Sequence, residues 1–175
     1  EIYLADQDDL YFEHNLERDK SKWCGNFIVV GNSGAGKTHW VVSLLMRYLR
    51  AAKPHSRRTI IWCSPEYGID RSLLPLKNKR FAFNVIGIDV SEQELRKTGM
   101  DAISFYKTKV DDISESHGEK ALICMDDFPD GAKALVPLLR KAYNTMLRTA
   151  RHRGTGVFSL QHTYAGNRNT VVINT

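Results

Sequence analysis

The sequence has only three cysteines, Cys24, Cys63 and Cys124, in 175 residues. The number is odd and no Cys-x-x-Cys pair occurs, which argues against a disulfide framework and against a cysteine-based zinc site. Each lies in or beside an apolar, strand-like run. That predicts small buried side chains and favours a reducing compartment. Long apolar runs are missing too. Runs such as residues 27–30 and 121–125 fall far short of the roughly 20 residues a membrane-spanning helix needs. No repeat, low-complexity tract or basic-then-apolar leader is visible. Hydrophobic residues at 42% and charged residues at 26% exclude the disordered and fibrous classes. The length suits one domain.

The net charge of +5 hides an asymmetry. Residues 1–20 carry seven acids and two bases, a net of −5, so the remainder carries +5 − (−5) = +10. A basic body of this kind suits a polyanionic partner, and it equally suits a solvated surface. Residues 1–22 read as an acidic arm and residues 23–175 as the folded domain.

Along that domain, short apolar runs alternate with helical patterns. Strands are expected at Asn26–Val30, Thr59–Cys63, Phe81–Ile86, Ala121–Met125, Val157–Leu160 and Thr170–Ile173. Lys37–Arg50 has apolar residues at helical spacing. Ser91 and Glu94 form a capping-box signature, and apolar residues from Leu95 to Ile113 predict one helix running on through Gly99. Leu135, Leu138, Leu139, Ala142 and Met146 mark another helix, expected to end near Arg151–Gly154 with Gly154 as a left-handed cap. This alternation predicts an α/β fold, a mostly parallel sheet with helices on both faces. Ligands of such sheets bind at the carboxyl ends of the strands.

After the first strand comes Gly31-Asn32-Ser33-Gly34-Ala35-Gly36-Lys37-Thr38, a full match to G-x-x-x-x-G-K-[ST] between a strand and a helix. Small residues let successive backbone N–H groups surround phosphate oxygens, and the helix N-terminus adds a favourable dipole. Lys37 is expected on the β- and γ-phosphates of ATP and Thr38 on Mg²⁺. By average composition, roughly one chain in a couple of hundred of this length would match by chance, and fewer with the flanking strand and helix.

The run 121–125 delivers Asp126-Asp127. Beside a phosphate loop, Asp126 is expected to hold the Mg²⁺ shell and Asp127 to orient and polarise the attacking water. Without that loop, two acids after a strand would read as a solvated turn. Gln161 ends the next strand, where a neutral amide suits sensing of the γ-phosphate. Arginines precede that strand. Their planar forks suit a phosphate, in a neighbouring subunit's site, and they equally suit a helix C-terminus. Arg151 is the first candidate and Arg148 the second.

The order GNSGAGKT, ALICMDDF, a helix ending in ARHRGT, then VFSLQHT resembles the genome-packaging ATPases of poxviruses and related large double-stranded DNA viruses. These belong to the FtsK/HerA branch of P-loop ATPases. The resemblance covers about residues 26–175. It implies a P-loop NTPase of the ASCE type, with the Gln161 strand between the first strand and the Asp126 strand. It also implies a motor that drives viral DNA into a preformed capsid, working in the virion or at the intracellular assembly site. Its implied partners are capsid vertex proteins and further copies of itself, in a pentameric or hexameric ring with an arginine supplied in trans. Arg151 matches the family's Arg-His position. A superfamily 3 helicase also presents Asp-Asp-Phe, but commonly ends the sensor strand in Asn and has closer Walker motifs. A nucleoside or nucleotide kinase would need a lid, and none is visible after Gln161. A module that binds nucleotide without turnover would have no use for Asp127.

Overall fold

The computed structural model describes residues 25–50, 59–79, 84–111, 121–149, 152, 155–162 and 171–174. The acidic arm, Cys24, Arg151 and Gly154 lie outside the described residues, as do residues 81–83 of the expected third strand.

Six strands form one sheet: β1 (Gly25–Val30), β2 (Thr59–Ser64), β3 (Val85–Asp89), β4 (Ala121–Asp126), β5 (Gly156–Gln161) and β6 (Val171–Asn174). Their order is β3-β2-β4-β5-β1-β6, and every pairing is parallel. The helices are α1 (Lys37–Arg50), α2 (Glu92–Thr98), α3 (Ala102–Tyr106) and α4 (Val136–Thr149). A π-helical turn, Lys107–Asp111, extends α3. No helix among the described residues is long and apolar enough to cross a membrane.

The central strands are apolar on both sides because both sides are covered. Successive side chains point to opposite faces. Ile60, Trp62, Leu122, Cys124, Phe158 and Leu160 therefore join one cluster, with Val41, Leu44, Leu45 and Tyr48 of α1. Ile61, Cys63, Ile123, Met125 and Val157 join the other, with Phe105 of α3 and Leu139 and Ala142 of α4. Phe27 and Phe158 stack across β1 and β5 with centroids 4.7 Å apart. Full burial of a side chain such as Leu45, at 0% exposure, stabilises by about 1.5–3 kcal/mol. Cys63 and Cys124 are free and buried, as expected. Burial pushes the Cys63 thiol up to about 12, as suits a packed structural thiol.

Two expectations need correction. The helix predicted to run through Gly99 is two helices. Gly99 takes a left-handed conformation (φ 66°) that closes α2, and Asp101 caps α3 by accepting from the N–H groups of Ile103 and Ser104. A local stop and a local start thus override the continuing apolar spacing. The third strand is also placed further along, at Val85–Asp89 rather than ending at Ile86. Gly87 sits in its middle because the Tyr67 ring lies against the backbone there. A Cβ at residue 87 would fall 1.8 Å from Tyr67 Cζ. Lys77 holds that ring in place, with Nζ 4.5 Å from its centroid and a hydrogen bond donated to the Tyr67 carbonyl oxygen.

A candidate phosphate site at the carboxyl ends of β1, β4 and β5

Register brings the candidate residues together. Val30 pairs with Gln161 across β1 and β5, and Asp126 pairs with Leu160 across β4 and β5. The three strands therefore end level, and the loop after β1 opens beside the end of β4. Within that loop Gly34 and Gly36 have φ of 77° and 88°, a region that glycine enters without the strain of a side chain. A Cβ built at either meets no atom within 4 Å, so conformation rather than crowding calls for glycine there. Ala35 N–H donates to the Asn32 carbonyl at 3.1 Å, which tightens the turn. Asn32, Ser33, Gly34, Ala35 and Gly36 are exposed, and Gly31 is half-buried.

Lys37 opens α1 and is only 7% exposed. Its ammonium donates back to the carbonyls of Gly31, at 2.9 Å, and Asn32, at 3.2 Å. The cation is thus curled into the mouth of its own loop. Thr38 Oγ1 donates to Asp126 Oδ2 at 3.1 Å, joining residues 88 positions apart. Asp126 is 8% exposed. Burial, followed by repulsion from Asp127, raises its carboxyl from the ordinary 3.8 to about 6, against the opposing hydrogen bond from Thr38. Asp70 adds to that rise and Lys37 opposes it. A buried carboxylate under this pressure gains from any cation brought beside it.

Asp127 leaves the strand in a left-handed conformation (φ 45°), the only non-glycine with positive φ among the described residues. Aspartate tolerates that region better than most residues. The turn directs the two neighbouring acids differently. Asp126 meets Thr38, whereas Asp127 meets His162, whose Nε2 lies 3.1 Å from Asp127 Oδ2. The other ring nitrogen, Nδ1, is 3.4 Å from Lys37 Nζ.

Gln161 is at the strand end as expected, but its amide is engaged elsewhere. Nε2 donates to Ser159 Oγ at 3.0 Å and to the Tyr143 hydroxyl. Tyr143 and Ser159 are themselves 2.8 Å apart. The amide is therefore tied to α4. Arg148 is exposed in the last turn of α4. That turn lies by the start of β1, where Asn26 Nδ2 donates to the Leu147 carbonyl at 2.6 Å. The sheet separates it from the loop at the other end of β1, so Arg148 is not part of this chain's own site. Arg151 lies outside the described residues.

His162 and Tyr143 are the residues that sequence reasoning missed. His162 directly follows Gln161, but nothing in its spacing signals partners 35 and 125 positions away. Compared with protein-family models and with curated proteins, the chain matches none.

Proposed function

We propose that this chain is a Mg²⁺-dependent ATPase, and that its hydrolysis drives double-stranded DNA into a viral capsid. The observation that carries the ATPase reading is the Thr38–Asp126 hydrogen bond of 3.1 Å at the mouth of the phosphate loop. The bond satisfies a buried acid at the end of β4, and it also sets a hydroxyl and a carboxylate side by side at the start of α1, two hard oxygens of the kind a shared Mg²⁺ takes. The strand order β4-β5-β1 supports the ASCE type of P-loop NTPase.

The donor set fits the ion. Mg²⁺ favours hard oxygen ligands and takes few from protein, the rest coming from water and phosphate. Thr38 and Asp126 supply such oxygens, and the described residues contain no group of three or more His, Cys, Asp or Glu suited to a metal held by protein alone. Thr38 and Asp126 would hold the ion, which would supply positive charge to offset that of the bound phosphates. The loop Gly31–Gly36 wraps the phosphates through its backbone. Lys37 exchanges partners it holds in the nucleotide-free protein for phosphate oxygens. Asp127 orients the attacking water and draws its proton. Gln161 reaches the γ-phosphate after leaving Tyr143 and Ser159. Arg151 or Arg148 acts on a neighbour's ATP, so the working unit is a pentameric or hexameric ring docked on capsid vertex proteins. The excess of base over acid beyond residue 20 favours contact with DNA phosphates.

Single-turnover and steady-state ATPase assays with and without duplex DNA test this reading. Mg²⁺-dependent phosphate release, stimulated by DNA whose binding weakens as salt rises, is the expected result. Mixing inactive Lys37→Ala with inactive Arg151→Ala subunits should restore part of the activity. Transfer of phosphate to a nucleoside would instead identify a kinase, and duplex unwinding a helicase.

A further inference from the structure

One side chain touches two parts of the site that reach it from different strands. His162 follows β5, Lys37 follows the loop after β1, and Asp127 follows β4. We propose that His162 is a positioning residue that links occupancy of Lys37 to the placement of the Asp127 carboxylate. This rests on the ATPase reading above, since it assigns Lys37 to the phosphate and Asp127 to water.

The two partners of the ring favour one tautomer. A lysine ammonium has only donors, so at 3.4 Å the facing Nδ1 of His162 accepts. The imidazole then carries its proton on Nε2, which donates to Asp127 Oδ2 at 3.1 Å. A doubly protonated ring would set an N–H against the ammonium. Lysine, imidazole and carboxylate form a chain in which each donates to the next.

That chain breaks at one place when phosphate arrives. Lys37 is held by three acceptors: the Gly31 carbonyl, the Asn32 carbonyl and His162 Nδ1. To reach a phosphate it must exchange some of them. Releasing His162 leaves the ring hinged on Asp127 alone, free to turn with that carboxylate toward the γ-phosphate. Asp127 has no other hydrogen-bond partner for its side chain among those described, and its backbone is left-handed (φ 45°). His162 thus sets where the carboxylate points before and after nucleotide enters. His162 is half-exposed, with 48% of its side chain accessible, so the ring has room to turn.

Three proteins decide the matter: wild type, His162→Ala and His162→Gln. Glutamine retains an acceptor and a donor on one planar group. Removing an orienting partner of this kind lowers activity by roughly 10-fold to 100-fold. His162→Ala should therefore lower kcat by about tenfold, a value at the low end of that range, while ATP affinity measured by fluorescence titration stays unchanged or tightens. His162→Gln should recover part of kcat. Side-chain nitrogen NMR of the nucleotide-free wild type should report the Nε2–H tautomer. Addition of a non-hydrolysable ATP analogue with Mg²⁺ should shift the Nδ1 signal. A wild-type kcat retained in His162→Ala, or an Nδ1–H tautomer in the nucleotide-free protein, would overturn the inference. A wild type that binds no ATP would overturn the ATPase reading instead, and the tautomer would still be read independently of turnover.

Discussion

Strands β2 and β3 end on the same edge of the sheet as β4 and β5, and all four end in polar residues. What those residues do differs. Ser64 Oγ accepts from Glu66 N–H, two residues on. Asp89 accepts from Ser91 N–H with one oxygen and from Gly68 N–H with the other. These side chains satisfy the turns that follow their own or a paired strand. Asp126, and His162 just past the end of β5, instead meet side chains at the start of α1, 88 and 125 positions away. A polar strand end used on nearby backbone is explained by the need to satisfy the chain. A buried acid that meets a side chain 88 positions away serves no turn; burial, followed by repulsion from Asp127, raises its carboxyl to about 6. Along one edge, this contrast separates the residues that build turns from those of the candidate site.

The contrast is sharpest in turnover. Thr38→Ala should reduce Mg²⁺-dependent ATP hydrolysis at least about 100-fold, the scale on which transition-state charge stabilisation is lost. Ser64→Ala, on the same edge, should leave the rate within about twofold, because it touches only a turn. Comparable losses from both would erase the distinction between the two halves of the edge.

On the β3 side the expected effects are on stability. Gly87→Ala drives a methyl into the Tyr67 ring, which lies 1.8 Å from the built Cβ. Denaturant unfolding should report a loss of about 1–3 kcal/mol, the usual result of overpacking. An unchanged midpoint would mean that Tyr67 moves away freely.

Asp126 offers a smaller effect of opposite sign. Its folded-state carboxyl is raised from 3.8 to about 6, so between those pH values the folded protein binds more protons than the unfolded one. Stability of the nucleotide-free protein should therefore fall as pH rises through that window, and the loss is complete above about 6. Asp126→Asn keeps an acceptor for Thr38 and removes the charge. It should flatten that slope and stabilise the protein at pH 7 by on the order of 1–2 kcal/mol. Destabilisation would show that the charge is already well compensated.

The strand periodicity, the glycine-rich loop after β1 and the acidic pair after β4 were all legible in the sequence, because each is a local pattern. The loop's small residues and the apolar runs before Gly31 and Asp126 require no knowledge of distant parts. The break at Gly99 was equally local, yet a reading of apolar spacing alone passes over it. Gly99 and the Asp101 cap act through backbone conformation, which apolar spacing does not register. β3 was misplaced because Gly87 looks like an end of a strand, and its reason, the Tyr67 ring, comes from the loop after β2. His162 and Tyr143 were not legible at all. Each makes its contacts through strand register and helix packing, and neither has a partner at a spacing a helix or turn would produce. The tie from Gln161 to α4 belongs to the same class.

The most direct test of the site is to measure ATP binding and single-turnover hydrolysis for wild type and Asp127→Asn side by side. The account predicts that the variant binds Mg²⁺-ATP within about threefold of wild type and hydrolyses it at least about 100-fold more slowly, the upper part of the usual contribution of a positioned base. Wild-type turnover in Asp127→Asn would contradict the assignment of that acid to the water and, with it, the reading of this edge as a hydrolytic site.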